Sequence, residues 1–520
     1  MGQMTGKNPI IYSDYPDPDV IRVGDTYYMV STTMHFMPGC VILRSYDLIH
    51  WETASYVYEA LEETQGERLT DGKGVYGKGM WAASLRYRNG TFYVCFVAND
   101  TGKTYLYTSK DIAGPWKKSY IEGFYHDNSI LFDDDGRVYI AYGNREIYIT
   151  ELNEEMTAPK EGGLHRVAVK DTGDVILGYE GTHFYKMNGK YYLFFIHWPR
   201  GGLRTEACFC ADSLLEEFTG GDVLSYDLDS IHSGVAQGGI VDTPEGNWYA
   251  MLFQDHGAVG RIPVLVPVTW ENDFPVFGKN SVPKQITVKT DREGYSYEPL
   301  WCDDDFCYTP DETGKVRLKN PWQWNHIPSE ELWSVTEKPG TLRIHTDRLS
   351  VNLVQAVNTL TQRTVGPWCA AEVTLNGSAL KNGDYAGLCT LQGDYGFIAL
   401  TREEDKYYLV MTEKKDNGQF AGMGSVDTEP GKVVAKISVP ENKVTLRAEC
   451  DFDGGKDTAE FFFMRETPEQ KKEFIKLGDT HKLSFKLDHF VGCRFGLFLF
   501  STKETGGMAE FSKFRFRTER

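Results

Sequence analysis

Five times in the first half of the chain a turn signal is followed at once by an aromatic-rich strand, and this repeat constrains the fold more than any other feature of the sequence. The segments are Gly24-Asp25-Thr26-Tyr27-Tyr28, Asn89-Gly90-Thr91-Phe92-Tyr93, Asp135-Gly136-Arg137-Val138-Tyr139, Asn188-Gly189-Lys190-Tyr191-Tyr192 and Glu245-Gly246-Asn247-Trp248-Tyr249. Asn-Gly and Asp-Gly pairs tolerate positive φ and so close tight hairpins. The final tyrosines lie 65, 46, 53 and 57 residues apart, about the size of a four-stranded propeller blade with variable loops. A second element, a polar turn followed by an apolar pair and an aromatic, recurs between hairpins at 45–51, 109–116 and 211–218. It is the pattern expected where a blade's outer strands connect.

The repeat breaks between 296 and 320, where Asp303-Asp304-Asp305 and the turn cluster at 309–314 read as a linker. Beyond it, alternating segments such as 370–375 and 482–487 recur with turns between them, as in an antiparallel sandwich. A chain of 520 residues exceeds one hydrophobic core. The expected fold is all-β: a five-bladed β-propeller over 1–300, followed by a jelly-roll (concanavalin-like) β-sandwich over 301–520.

Counting back from each hairpin tyrosine finds the candidate site. Asp17 stands 11 residues before Tyr28, and Trp81, Asp127, Glu180 and Gln237 each stand 12 before their own tyrosine. Equivalent positions of successive blades converge where the innermost strands line the central channel. Asp, Trp, Asp, Glu and Gln are therefore expected to share one pocket. Isolated acids near turns are mostly solvated or capping residues; three in matched register on separate blades are harder to dismiss. Cleaving a glycosidic bond takes one carboxylic acid to protonate the leaving oxygen and a second carboxylate to activate water or to attack. A third, by like charge, helps keep the acid protonated.

Composition narrows the partners. With 55 Lys+Arg against 74 Asp+Glu, the net charge of −19 disfavours nucleic acid and anionic membranes and suits a neutral substrate. No apolar run is long enough to span a bilayer. Aromatics make up 13% of residues; most are expected in the core, though some could stack on sugar rings. The ten cysteines form no C-x-x-C pair and sit in apolar segments, which reads as reduced, buried thiol. A cytoplasmic location is expected, or a secreted one with the signal peptide removed.

The same residues resemble glycoside hydrolase family 43, in particular its β-xylosidases and α-L-arabinofuranosidases with a C-terminal sandwich. Asn8-Pro9-Ile10-Ile11 followed by 15–28 looks like the family's opening signature and implies Asp17 as general base. His126-Asp127-Asn128-Ser129 is similar to the segment of the third acid, so Asp127 would tune and orient the acid, and Tyr179-Glu180-Gly181-Thr182 implies Glu180 as general acid. The loop 31–39 looks like one lining the mouth, with Phe36 against the terminal sugar and His35 beside it. Trp81 resembles a stacking tryptophan, although Ala83 stands where a proline is usual, and Arg261 resembles an arginine that binds sugar hydroxyls. Phe490 matches a sandwich-loop phenylalanine that narrows the pocket. Gln237 stands where many members carry a histidine that helps hold an ion or water network on the channel axis.

The resemblance implies an exo-acting, inverting hydrolase of β-D-xylosyl or α-L-arabinofuranosyl units, acting on an oligosaccharide or polysaccharide. Alternatives are specificity for arabinan or galactan, or a propeller that binds carbohydrate without cleaving it. No catalytic metal is expected; a structural calcium and a homo-oligomer are left open.

Overall fold

The computed structural model describes residues 2–229, 231–415, 422–466 and 472–520. Five four-stranded antiparallel sheets follow one another along the chain, and the described residues contain no α-helix. Their innermost strands are Asp19–Val23, Met80–Arg88, Ser129–Phe132, Val175–Met187 and Val235–Asp242. Each repeated turn joins the first and second strands of its blade, and the 45–51, 109–116 and 211–218 elements join the third and fourth. Asn89 (φ 51°) and Gly90 (φ 73°) take the left-handed conformation that a two-residue hairpin needs, as do Asn188 (φ 51°) and Gly189 (φ 81°).

Blades are held by what lies between them. In the second strand of blade 4, Lys190–Pro199, side chains alternate: Leu193 and Phe195 pack with blade 3, Tyr192 and Phe194 with blade 5. Because both faces are covered, the strand reads as a continuous apolar run and not as an in–out alternation. A separate cluster fills each of the other three gaps. The ring closes where Gly2–Lys7 pairs antiparallel with Gln285–Thr290, and Ile286 and Val288 pack between blades 1 and 5.

The ring's centre is tied by two charges. The Asp19 carboxylate, fully buried, accepts from Arg86 Nη1 (2.7 Å) and Leu85 N (2.7 Å), and lies near His183 Nδ1 (3.1 Å). Arg86 in turn donates to the Ile130 carbonyl, the Ser129 hydroxyl and the Phe184 carbonyl. Burial alone would raise Asp19's pKa; Arg86 and His183 outweigh it and hold the carboxyl below its usual range. Removing one partner of such a pair is expected to cost about 3–5 kcal/mol.

The strand Gln323–Asn325 begins a sandwich of two large sheets around an apolar core, among them Phe461, Phe495, Leu497 and Phe514. Between Thr290 and Gln323 no strand occurs. The propeller contributes to one of these sheets. Phe36–Met37 pairs with the edge of the sandwich, Phe36 opposite Asn325 and Met37 opposite Trp324. The two domains thus share a sheet, and apolar residues of both fill the seam, including Tyr76, Leu353 and Phe498.

Candidate active site

The five register-matched residues meet. Asp17, Trp81, Asp127, Glu180 and Gln237 line one pocket together with Arg261 and Phe490, and about 460 Å³ lies inside it counted to its open mouth. A second hollow, at Lys7, Asn8, Leu228, Lys284 and Gln285, sits by the ring closure and has no acid in its wall.

Irregular backbone aims these side chains inward. Asp17 (φ 54°), Asp127 (φ 48°) and Gln237 (φ 58°) all take the left-handed conformation, uncommon for residues with a Cβ. The inner strands carrying Trp81, Glu180 and Gln237 shift register within a few residues of them. Bulges of this kind re-aim side chains at the rims of sheets. Gly181 follows Glu180 at φ 66°, and a Cβ there would lie 2.4 Å from Gln237 Cδ.

At the bottom of the pocket Arg261 Nη1 donates to both Asp17 oxygens, at 3.1 and 3.3 Å. Burial raises the pKa of the Asp17 carboxyl, against the pull of Arg261. Burial likewise raises Asp127, opposed by His126 and reinforced by Glu180. Asp127 also accepts from Gly181 N at 3.2 Å, which ties the two acid-bearing segments. Glu180 accepts a hydrogen bond from Asn144 Nδ2. His126 Nε2 lies 3.5 Å from Glu180 and 3.7 Å from Asp127, and these charges, Asp127's foremost, push its pKa up to about 9.

The sandwich supplies one wall. The Phe490 ring lies 4.2 Å from the Arg261 guanidinium and 5.6 Å from Trp81. Its position is set two residues on: the Asp14 carboxylate accepts from Gly492 N and from Arg261 N, both at 2.8 Å. Gly492 is required there, because a Cβ would lie 2.4 Å from the Val259 carbonyl. One propeller carboxylate therefore fixes the sandwich loop and the pocket arginine together.

Two sequence expectations are corrected by position. Phe36 is fully buried in the shared sheet under Arg494, whose guanidinium lies 3.5 Å from its ring, so it cannot stack on a sugar. His35 is buried in the domain seam among Phe36, Tyr76 and His326 and does not reach the pocket. Met34 is the residue of that loop that lines the wall. Register counting missed His126, Asn144, Arg204 and Asp255. His126 adjoins Asp127 in sequence, while the others sit at strand ends outside the repeated position.

Residues 6–275 match the glycosyl hydrolases family 43 profile, and residues 312–517 match that of the β-xylosidase C-terminal concanavalin A-like domain. The chain belongs to glycosyl hydrolase family 43. This family 43 glycosidase is 27% identical over 580 residues to a β-xylosidase from Formosa agariphila, covering 99% of this chain and 90% of that one. To a non-reducing end α-L-arabinofuranosidase from Bacteroides ovatus it is 28% identical over 478 residues, covering 86% and 85%. A solved bifunctional GH43-CE protein from Bacteroides eggerthii superposes with a TM-score of 0.90 at 38% identity. That likeness covers 100% of this family 43 chain, which spans 64% of the other's length.

Proposed function

We propose that the enzyme is an exo-acting, inverting glycoside hydrolase releasing terminal β-D-xylosyl or α-L-arabinofuranosyl units from neutral hemicellulose oligosaccharides. The observation that carries this reading is the meeting of Asp17, Asp127 and Glu180, from three blades, in one pocket walled by Phe490 of the second domain. A pocket capped in this way admits a chain end better than a chain middle. The relatives named above favour xylose and arabinose as the released sugar.

In the proposed step Asp17 takes a proton from water as the water oxygen bonds to the anomeric carbon. The bond from that carbon to the glycosidic oxygen breaks, and Glu180 gives its proton to the leaving oxygen. A carboxylate whose pKa is raised by burial is the stronger base, which suits Asp17. Asp127 tunes and orients Glu180, Trp81 and Phe490 flank the sugar, and Gln237 offers an amide. Arg261 binds hydroxyls: its buried Nε and Nη2 have no hydrogen-bond partner among the described residues.

The step needs no metal. His126, Asp127 and Glu180 bring ligand atoms within 4.8 Å of one another. Where no ion is bound, the neighbouring carboxylates keep the His126 imidazole protonated up to about pH 9, as a donor toward Asp127 and Glu180. On the ring axis a calcium does not fit Asp19, both of whose oxygens are already engaged by Leu85, Arg86, His183 and Tyr185.

The test is hydrolysis of nitrophenyl β-D-xylopyranoside and nitrophenyl α-L-arabinofuranoside, with proton NMR of the first-formed sugar. Release of the inverted anomer from at least one of them is expected. A retained anomer would refute the single displacement.

A further inference from the structure

A charged pair stands above the buried floor of the pocket, and no step so far uses it. Arg204 immediately precedes the third strand of blade 4 (Thr205–Ala211), and Asp255 ends the second strand of blade 5 (Trp248–Asp255). Arg204 Nη1 meets Asp255 Oδ2, and both residues line the pocket beside Glu180. Asp255 lies directly opposite Arg261 in the antiparallel ladder, on the same face of the sheet.

Side-chain exposure orders the pocket by depth. Arg261 is 4% exposed, Asp17 9% and Asp127 7%, whereas Glu180 and Asp255 are at 18% and Arg204 at 23%. The terminal sugar belongs on the floor, between the base and the arginine paired with it. The glycosidic oxygen must come within hydrogen-bond reach of Glu180. Whatever leaves then lies level with Glu180 or above it, where Arg204 and Asp255 are.

The pair is held ready. Arg204 lies 4.5 Å over the Trp198 ring, and Trp198 Nε1 donates to the Gly202 carbonyl at 3.0 Å, which pins the intervening turn. Gly234 packs so closely beneath that a Cβ would lie 1.7 Å from the Arg204 carbonyl.

We propose that Arg204 and Asp255 form the acceptor subsite and grip two neighbouring hydroxyls of the departing pyranose, the guanidinium donating to one and the carboxylate accepting from the other. This rests on the exo-hydrolase reading above. Because the pair is neutral overall, it selects a neutral sugar over a uronate. Burial and Arg261 lower Arg204's pKa to about 10, which leaves it charged at neutral pH.

The experiment compares Arg204→Ala and Asp255→Asn with the parent on two substrates sharing one glycone, a nitrophenyl glycoside and the corresponding disaccharide. Charge-assisted hydrogen bonds of this kind predict that the disaccharide-to-nitrophenyl ratio of kcat/KM falls by about tenfold or more in Arg204→Ala, and by less in Asp255→Asn. Arg204→Lys, which keeps charge but loses the fork, supplies the same reading should the alanine variant not fold. Equal losses on both substrates overturn the subsite while leaving the exo-hydrolase reading intact. A parent inert on the xylosyl and arabinofuranosyl glycosides alike overturns that reading and the subsite with it.

Discussion

The floor and the upper level of the pocket are built from the same residue types, carboxylates and arginines, yet burial divides their work. On the floor Asp17 and Arg261 face each other at 3.1 Å, with 9% and 4% of their side chains exposed. Charges so far from water act strongly on one another and reorganise little. Higher up, Glu180 is 18% exposed and His126 25%, close enough to solvent to exchange protons between turnovers. The backbone follows the same division. The floor acids are held in left-handed conformations, whereas Glu180 sits in a bulged strand followed by a left-handed glycine. In the proposed mechanism depth, more than residue type, separates the base and its anchor from the acid and the group that leaves.

Removing the floor carboxylate should do the most damage. Asp17→Asn is expected to lower kcat by about 1,000- to 10,000-fold, and equally for nitrophenyl and sugar leaving groups, because water must be activated in either case. Steady-state kinetics on both substrates check this; a loss that tracks the leaving group would break the division. Glu180→Gln should lower kcat on the disaccharide by about 100- to 1,000-fold but spare much of the nitrophenyl rate, since nitrophenolate departs without a proton. Equal losses on both would move Glu180 out of the acid's place.

The fivefold repeat and the site's register were legible because propeller blades reuse one geometry. Tyr93 and Tyr192 pair with Arg86 and Tyr185, each seven residues back across a two-residue turn, and a bulged strand lengthens the path to Trp81 and Glu180. Tyr139 and Tyr249 pair eight back, with Leu131 and Val241, across longer turns. In blades 2, 3 and 4 the extra turn and the extra bulge offset each other, so the count stays at 12; blade 5 has both, and Gln237 keeps the count because it lies inside the bulge between Ala236 and Gly239. Asp17 has the short turn without the bulge, since it precedes its strand, and falls at 11. What stayed hidden was what the second domain imposes. Nothing in the local pattern of His35 and Phe36 signals that two residues leave the propeller to extend a sandwich sheet formed some 290 residues later. Arg204 and Asp255 were missed because their pairing joins two blades at strand ends, where no periodicity operates.

A smaller effect tests the wall that joins floor to sandwich. Phe490→Ala removes a ring 4.2 Å from the Arg261 guanidinium, an interaction worth about 1–2 kcal/mol when desolvated. The expected result is a roughly tenfold fall in kcat/KM, mostly through KM, because the same contact serves ground and transition states. A fall confined to kcat would mean that Phe490 acts on the chemistry itself.

The last effect lies in stability and follows from the upper charges. His126 titrates at about 9 in the folded protein, mainly because of Asp127 and then Glu180, against about 6.5 in an unfolded chain. The folded state therefore holds the proton more tightly. The contribution is fully present below pH 6.5 and is lost as pH rises through 9. His126→Gln keeps a hydrogen-bonding group but no charge, so it should be less stable than the parent by about 3 kcal/mol at pH 6, with the gap closing by pH 10. Urea denaturation of both proteins at pH 6, 8 and 10 measures this. A gap independent of pH would show that shape and not charge holds His126 between the acids, and the sharp contrast between a desolvated floor and a titrating upper level would then fail at its most exposed residue.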